Sequence, residues 1–221
     1  MSRRVIVLFS GGIDSTVMLW KLIAERWNPI ILGINYYKRN PREVEAAERI
    51  TQLCEYEDLI TLDLSFVREL YDFEPHLRDK WMEILANPPS VMAPFRNVIF
   101  YSIAAHMAIQ YEAEAVAGGH TLEDQVNLPD ANSSYLARLN ELLDISLGIS
   151  AVRIITPLIR LTKPQIVRLG ARLGAPLSMT WSCWKMEQKH CGLCPGCQSR
   201  RRAFREAKQR DETQYLEDLP R

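Results

Sequence analysis

The sequence predicts an α/β fold in which a parallel five-stranded sheet is covered by helices on both faces. The main observation is that short apolar runs alternate along the chain with segments of helical spacing, as in folds built from strand-helix-strand units. A second observation is that these runs are almost continuously apolar, which indicates strands buried on both faces. Parallel sheets bind ligands beyond the carboxyl ends of their strands, so we expect the functional site there.

The strands are predicted from runs rich in β-branched and aliphatic residues. The first run, RVIVLF, leads directly into a turn with two glycines, and the fourth also ends in a pair of glycines. The predicted strands, in chain order, are 4–9, 29–37, 58–64, 113–119 and 152–158.

The helices are predicted from apolar residues that recur three and four positions apart. Pro41 and Pro164 stand in the first turns of two of them, where proline is well tolerated. The predicted helices, in chain order, are 13–27, 41–55, 66–87, 96–113, 135–148, 162–175 and 199–210. Residues 120–134 are predicted to form a polar loop that is long enough to have a function.

Length and composition predict one α/β domain with a small C-terminal region packed on it. We place the domain at 1–175 and the C-terminal region at 176–221, because the second segment carries most of the cysteines. A hydrophobic content of 47% predicts a packed core rather than disorder.

Charge and apolar patterning argue against two classes of partner. The 27 Lys and Arg residues balance the 27 Asp and Glu residues, which argues against a broad nonspecific surface for nucleic acid. No apolar run approaches the ~18 residues that a membrane span needs, so we expect no membrane partner and a cytoplasmic location. In that compartment, cysteines indicate metal binding or catalysis rather than disulfides.

The segment Ser-Gly-Gly-Ile-Asp-Ser follows the first strand and opens the first helix. Backbone N–H groups at a helix N-terminus bind anions, and glycines let a phosphate approach closely. The predicted phosphate-binding residues are Ser10, Gly11, Gly12, Ile13, Asp14 and Ser15. Asp14 would repel a phosphate unless a cation lies between them, so the loop also predicts Mg²⁺. An ordinary strand-helix turn is the alternative.

A cysteine cluster, Cys183, Cys191, Cys194 and Cys197, lies in the segment SCWKMEQKHCGLCPGC. Two of its spacings are Cys-x-x-Cys, which is typical of zinc sites with four thiolate ligands. Four thiolates leave no open position on the metal, so we predict a structural zinc. An iron–sulfur cluster is the alternative, because thiolates suit both. Cys54 lies on the apolar face of a predicted helix and is expected to be inert.

The loop sequence resembles the signature of the N-type ATP pyrophosphatases, or PP-loop enzymes, which split ATP between its α and β phosphates. Within that superfamily, nearly the whole chain is similar to the QueC family of 7-cyano-7-deazaguanine synthases. The cysteine spacing and the preceding Thr180, Trp181 and Ser182 match the QueC zinc site. The resemblance implies that ATP binds and that the loop holds its β and γ phosphates.

The resemblance also implies which side chains meet ATP. Lys163, in LTKPQIVRLG, falls on the family's lysine that neutralises charge on the phosphates. Arg96 and Asn97 match the family's Arg-Asn pair that meets ATP, with Phe95 in place of the usual glycine before them. The predicted catalytic residues are therefore Asp14, Lys163 and Arg96. A solvated lysine on a helix surface is the alternative for Lys163.

The substrate residues are predicted with less support, from aligned positions and from proximity to strand ends. They are Tyr36, Arg39, Gly119, His120 and Asp130. The loop around Asp130 departs from the family, since Leu128 replaces an aromatic residue and Ala131-Asn132 replaces Cys-Arg. An aromatic ring there can stack on a purine-like ring, and an arginine can pair with a carboxylate.

The resemblance implies an ATP-dependent ligase that adenylates 7-carboxy-7-deazaguanine and converts it with ammonia to 7-cyano-7-deazaguanine. The expected partners are these small molecules, and the family implies a homodimer. Three alternatives stay open, the first of them because of the altered loop. They are a paralogue that transfers the acid to an amine of a protein or nucleic acid, a tRNA-thiolating PP-loop enzyme, and a non-catalytic nucleotide-binding module.

Overall fold

The sheet is parallel throughout and has the five predicted strands in the order β3-β2-β1-β4-β5. A computed structural model describes residues 3–36, 39–54, 56, 59–64, 96–148, 151–185 and 187–216, so the predicted helix at 66–87 lies outside the described residues. The strands are β1 (Arg4–Leu8), β2 (Asn28–Asn35), β3 (Ile60–Asp63), β4 (Ala115–Ala117) and β5 (Arg153–Ile155). The chain leaves β1 toward β2 on one side, and β4 pairs on the other. This arrangement places the topological switch point at the carboxyl end of β1.

The helices of the described residues follow the predicted order, with ends that differ by a few residues. They are α1 (Ile13–Ala24), α2 (Pro41–Thr51), α3 (Arg96–Gln110), α4 (Leu122–Asn127), α5 (Ser133–Leu147), α6 (Lys163–Leu173) and α7 (Pro195–Ala207). Short 3₁₀ turns follow α4 and α6, at Pro129–Ala131 and Leu177–Met179. No helix in the described part of the chain combines the length and apolarity needed to cross a bilayer.

Helices cover both faces of the sheet, as predicted. Successive side chains of β1 point to opposite faces, so Val5 and Val7 join one core while Ile6 joins the other. The first core is completed by α1, α2, α6 and α7, and the second by α3 and α5. The central strand is thus buried on both sides, which fixes the position of the loop that follows it.

The predicted polar loop at 120–134 is wrong in part, because it contains α4 and a 3₁₀ turn. A capping box starts α4: the Thr121 hydroxyl accepts a hydrogen bond from the backbone N–H of Asp124, and the Asp124 carboxylate accepts one from the Thr121 N–H. The six residues of α4 are mostly polar and give only a weak helical pattern in the sequence. The capping box therefore determines that this segment is a helix.

The C-terminal region shares its packing with the α/β core. Ala203 and Phe204 of α7 lie in the same core cluster as Val17 of α1 and Ile166 of α6. Although α7 is rich in arginine, Arg200 is buried and only 2% exposed. The boundary at residue 175 stays a prediction.

Candidate active site and metal centre

The predicted phosphate loop, residues 10–15, forms a tight turn between β1 and α1. Gly11 has a φ of +84°. A Cβ atom at Gly11 would lie 2.5 Å from the carbonyl oxygen of Glu43 and 2.6 Å from the backbone nitrogen of Ala47. Glycine is therefore needed here both for its conformation and for the close packing of the loop on α2. Gly12 is the N-cap of α1, so the N-terminal end of this helix lies in the loop.

The two serine hydroxyls of the loop stabilise its shape. The Oγ atoms of Ser10 and Ser15 lie 3.0 Å apart, and Ser15 Oγ also donates to the Gly12 carbonyl at 3.2 Å. The backbone N–H of Gly12 donates to Ser10 Oγ at 3.2 Å. These contacts close the loop on itself, so the unused N–H groups of the first helical turn are the main donors for an anion.

Lys163 and Asp14 form an ion pair across the top of the sheet. Lys163 is the first residue of α6, just beyond β5, and Asp14 lies in the first turn of α1, just beyond β1. Residues that are distant in sequence thus meet at one edge, as the parallel sheet predicts. The lysine missing from the loop sequence is supplied by another strand-helix connection.

The protonation of this pair is set by burial and by neighbouring acids. Burial raises the pKa of Asp14 above its ordinary value, although Lys163 opposes this shift. Burial lowers the pKa of Lys163, but the charges of Asp14 and Asp124 outweigh burial, and the net pKa is raised. Lys163 is therefore a cation at neutral pH and can meet a phosphate.

Two buried carboxylate oxygens beside the pair have no hydrogen-bond partner among the described residues, Asp14 Oδ1 and Glu123 Oε2. The other oxygen of Glu123 accepts a hydrogen bond from the backbone N–H of Lys163 at 3.0 Å. Both residues line the same crevice. Hard divalent cations such as Mg²⁺ prefer carboxylate oxygens, so these residues fit the predicted ion.

The crevice itself has a volume of about 530 Å³ and opens beyond the carboxyl ends of the strands. One wall is formed by the phosphate loop, Lys163 and α4. The rest of its lining comes from the residues that follow Trp181 and from the start of α7. Its lining includes Asp14, Arg96, Leu128, Lys163 and Trp184.

A smaller inner pocket of about 160 Å³ lies at the ends of β1, β2 and β4. Arg96 stands at its side, where the guanidinium donates to the Tyr36 hydroxyl at 3.3 Å and lies 5.2 Å from the Tyr36 ring centroid. Phe100 packs against Tyr36 with ring centroids 5.5 Å apart. Arg96 lines both the inner pocket and the crevice, so it stands between them.

Two of the predicted ligand-binding residues also hold the protein together. Arg39 is buried, and its guanidinium donates to the carbonyl oxygens of Ile34 and Ser10 at 2.9 and 3.2 Å. Asn97 donates from Nδ2 to the backbone carbonyl of Asp130 at 3.0 Å. Both side chains line the inner pocket while fixing the loops around it.

Gly119 and His120 are also in the inner pocket, directly after β4. A Cβ atom at Gly119 would lie 3.3 Å from the backbone nitrogen of Ser15, so this glycine touches the phosphate loop. Burial lowers the pKa of His120 below its ordinary value, although Asp124 and Asp130 oppose this shift. A neutral imidazole can accept a proton.

The altered loop residues are accounted for by packing. Ala131 is fully buried, and Asn132 is the N-cap of α5, whose Oδ1 accepts from the backbone N–H of Tyr135 at 2.8 Å. These two positions therefore support the start of α5. Leu128 instead lines the crevice.

The cysteine knuckle, defined as residues 183–197, brings the four predicted thiolates together. Their sulfur atoms all lie within 4.8 Å of one another. The Cys191–Cys197 and Cys183–Cys194 sulfur pairs are each 3.9 Å apart. Ligands about 2.3 Å from a tetrahedral zinc lie about 3.8 Å apart, so the cluster fits a zinc ion with four thiolate ligands.

Hydrogen bonds tie the knuckle to the start of α2, and the residue Trp181 just before the knuckle to the phosphate loop. The backbone N–H of Trp181 donates to the Gly11 carbonyl at 3.0 Å. The side-chain amide of Asn40, the N-cap of α2, donates to the Cys183 and Lys185 carbonyls at 3.1 and 3.0 Å. A metal bound by the cysteines would therefore support the wall of the crevice.

A buried ion pair supports the same wall from behind. Arg200 donates from Nε to Asp211 at 3.2 Å and from Nη1 to the Thr180 hydroxyl at 2.7 Å. His190 accepts from the Ser182 N–H at 3.0 Å and packs on Trp181, so it belongs to this support rather than to the cysteine cluster. Burial, followed by the charge of Arg200, lowers the pKa of His190 to about 4.

Sequence reasoning did not assign three residues that line these cavities, Glu43, Tyr101 and Trp184. Burial raises the pKa of Glu43, which faces both cavities from α2. The Tyr101 hydroxyl is buried without a hydrogen-bond partner among the described residues. The helical pattern explained Glu43 and Tyr101 as ordinary helix residues, whereas Trp184 carried the one available signal, a large aromatic residue beside a metal ligand.

The order of the strands, the phosphate loop after β1 and Lys163 from the β5–α6 connection together define a PP-loop protein of the N-type ATP pyrophosphatase class. Two solved structures share the fold. One, described as a predicted subunit of tRNA methyltransferase from Methanocaldococcus jannaschii, has a TM-score of 0.52 at 22% identity and covers 76% of this chain and 74% of its own. The other is NMN synthetase from Francisella tularensis, which has a TM-score of 0.51 at 14% identity. The match covers 95% of this chain and 78% of the synthetase chain.

The chain belongs to the QueC family, because the model described as queuosine biosynthesis protein QueC matches residues 4–208. The 7-cyano-7-deazaguanine synthase of Campylobacter curvus is 32% identical over 96% of this chain and 98% of that protein. The 7-cyano-7-deazaguanine synthase of Sulfurimonas denitrificans is 33% identical over 97% of this chain and 98% of that protein. A synthase from Saccharolobus solfataricus is 33% identical over 97% of this chain, which spans 48% of that longer protein.

Proposed function

We propose that this protein is a 7-cyano-7-deazaguanine synthase, an ATP-dependent ligase of the queuosine pathway. The observation that carries the proposal is the meeting of Asp14 in the phosphate loop with Lys163 from the β5–α6 connection. Family membership supports the substrate, since the similar full-length relatives are named as this synthase.

In the first step, a carboxylate oxygen of 7-carboxy-7-deazaguanine attacks the α-phosphorus of ATP, and the bond to the β-phosphate oxygen breaks. Pyrophosphate leaves on the loop, where the helix N-terminus and Lys163 stabilise its charge. Ammonia then displaces AMP from the acyl adenylate and gives the amide. A second ATP activates the amide oxygen, and loss of AMP with a proton gives the nitrile.

The inner pocket suits the adenine base of ATP. Its floor is apolar and is built from Leu8, Leu32 and Ile34, and Tyr36 and Arg96 close one side. From there the triphosphate runs past Gly119, which touches the loop, toward Lys163. Under this proposal Tyr36, Arg39, Gly119 and His120 surround the nucleotide end and the α-phosphate, where the two reactants meet.

Mg²⁺ would be held by Asp14 and Glu123, whose buried oxygens lack other partners. When bound there, the ion supplies positive charge against the phosphates. Zinc would be held by Cys183, Cys191, Cys194 and Cys197 and would be structural, since four thiolates fill a tetrahedral shell. We also propose a homodimer, as the family resemblance implies, and a cytoplasmic location, as expected from the apolar patterning of the sequence.

The test is to incubate the purified protein with ATP, Mg²⁺ and 7-carboxy-7-deazaguanine, with and without ammonium. Pyrophosphate and product mass are then followed. We expect two pyrophosphates per nitrile and no nitrile without ammonium. The Asp14→Asn variant, folded to the same extent, serves as the inactive control. Pyrophosphate release that ends at the adenylate or amide would favour transfer to another acceptor, and no pyrophosphate at all would overturn the proposal.

A further inference from the structure

We infer that the indole of Trp184 forms the subsite for the planar ring of the heteroaromatic acid, an inference that rests on the proposed function. Trp184 follows the zinc ligand Cys183 and lines the crevice together with Asp14 and Lys163. Its side chain is large and apolar, yet the residue is 50% exposed. An exposed indole in the crevice that also contains the phosphate loop has surface available for a ligand.

The indole is held in a defined position. The backbone N–H of Trp184 donates to the sulfur of Cys194 at 3.4 Å. A Cβ atom on Gly196 would lie 2.8 Å from the indole Nε1 and 2.9 Å from Cδ1, so the ring rests directly on the glycine backbone at the start of α7. A ring fixed in this way loses little further freedom when a ligand stacks on it.

The second tryptophan of the crevice cannot take this role. Trp181 is buried, and its ring packs on His190 with centroids 4.2 Å apart. Leu128, which also lines the crevice, is aliphatic and offers no aromatic face. Within the described lining of the crevice, Trp184 is therefore the aromatic surface that a ligand can reach.

Size and charge assign the occupant. The inner pocket accommodates one base, and the proposed function brings two bicyclic rings to the site, adenine and deazaguanine. Arg96, which stands between the inner pocket and the crevice, provides a cation for the carboxylate of the acid. Stacking of a base on an aromatic side chain contributes markedly to binding and tolerates many ring types. The acid ring thus lies on Trp184, with its carboxylate toward the α-phosphate.

The experiment compares Trp184→Ala, Trp184→Leu and Trp184→Phe with the wild type, after zinc content and unfolding midpoint are measured for each. Trp184→Leu keeps apolar volume without an aromatic face. Leu193→Ala is the matched control, because Leu193 is an exposed apolar residue of the same knuckle that does not line the crevice. KM values for the acid and for ATP are measured, with titration of the acid into protein saturated with a non-hydrolysable ATP analogue.

We expect Trp184→Ala and Trp184→Leu to weaken acid binding about tenfold or more, with KM for ATP changed less than about twofold. Trp184→Phe should recover most of the affinity, and Leu193→Ala should match the wild type. Should Trp184→Ala fail to fold, Trp184→Leu carries the test. Unchanged acid affinity in Trp184→Leu, or an increase in the KM for ATP alone, would overturn the inference. A wild type that binds the acid without releasing pyrophosphate would contradict the proposed reaction but not the subsite.

Discussion

The phosphate loop and the cysteine knuckle lie side by side, yet they keep their shapes by different means. The loop follows β1, whose three central residues are fully buried, and Gly11 packs against the backbone of α2. The knuckle has a small cluster of its own, consisting of Ala46, Trp181, Cys183, Cys191 and Cys197. The comparison teaches that the core of the fold shapes the loop, whereas the knuckle has little core of its own and would be stabilised by a metal on its four cysteines and by the Arg200–Asp211 ion pair.

The two regions are nevertheless coupled through hydrogen bonds. The Trp181 N–H, just before the knuckle, donates to the Gly11 carbonyl, and the side-chain amide of Asn40 at the start of α2 donates to the Cys183 carbonyl. Loss of order in the knuckle should therefore reach the loop, while a change in the loop should leave the metal in place. The predictions below test this asymmetry.

The largest effect is expected from removing one zinc ligand. Cys191→Ser should lose the metal and nearly all activity, because binding of a structural zinc is folding free energy for its site. Metal content by mass spectrometry and pyrophosphate release measure the two losses. Cys54→Ser is the control, since Cys54 lies outside the cluster, and it should keep both. Full activity of metal-free Cys191→Ser would refute the dependence on metal.

Removal of the lysine tests the loop without disturbing the knuckle. Lys163→Ala should lower kcat about 10²–10³-fold, as expected when a group that stabilises transition-state charge is removed. Zinc content should stay at the wild-type level. Lys21→Ala is the control. Lys21 lies in α1, pairs with Glu25 at the C-terminal end of that helix, and does not line the crevice. A kcat change below about threefold would assign Lys163 to the surface.

The ion pair behind the knuckle is tested by Asp211→Asn. Arg200 is buried, so loss of its partner should lower the free energy of unfolding by about 3–5 kcal/mol. Although burial opposes it, Arg200 holds the pKa of Asp211 below its ordinary value.

This contribution to stability is present above the ordinary pKa of an aspartate and is lost as pH falls through the lower folded-state pKa. The free energy of unfolding of the variant and the wild type is measured with urea at pH 7 and at pH 3. The difference between the two proteins should be smaller at pH 3. An equal difference at both values would argue against an ionised pair.

The smallest effect is expected from Gly11→Ala. The new methyl group would meet the backbone of Glu43 and Ala47 in a left-handed conformation, which should cost about 2–4 kcal/mol and weaken ATP binding. Gly174→Ala is the matched control, because Gly174 also has a positive φ of +70° but nothing lies within 4 Å of the added Cβ. We therefore expect this variant to lose only about 1 kcal/mol of unfolding free energy. Thermal unfolding and zinc analysis test both. Loss of zinc from Gly11→Ala would contradict the expectation that a change in the loop leaves the metal of the knuckle in place.

Much of the fold could be predicted because its signals are local. The apolar run of β1 and the alternation with helices gave a parallel sheet, and the Cys-x-x-Cys spacings gave the metal cluster. The ends of the helices and α4 were missed, since α4 is short and depends on the cap formed by Thr121 and Asp124.

The sequence by itself determined the sheet, the phosphate loop and the four thiolates, because periodicity and spacing are properties of neighbouring residues. Tertiary structure alone decided that Asp14 and Lys163 form a direct ion pair, that Arg39 donates to backbone carbonyls, and that Arg200 is buried. It also placed Trp184 on a crevice wall. These outcomes depend on contacts between segments far apart in the chain, where packing and desolvation, rather than local pattern, set the position and charge of a side chain.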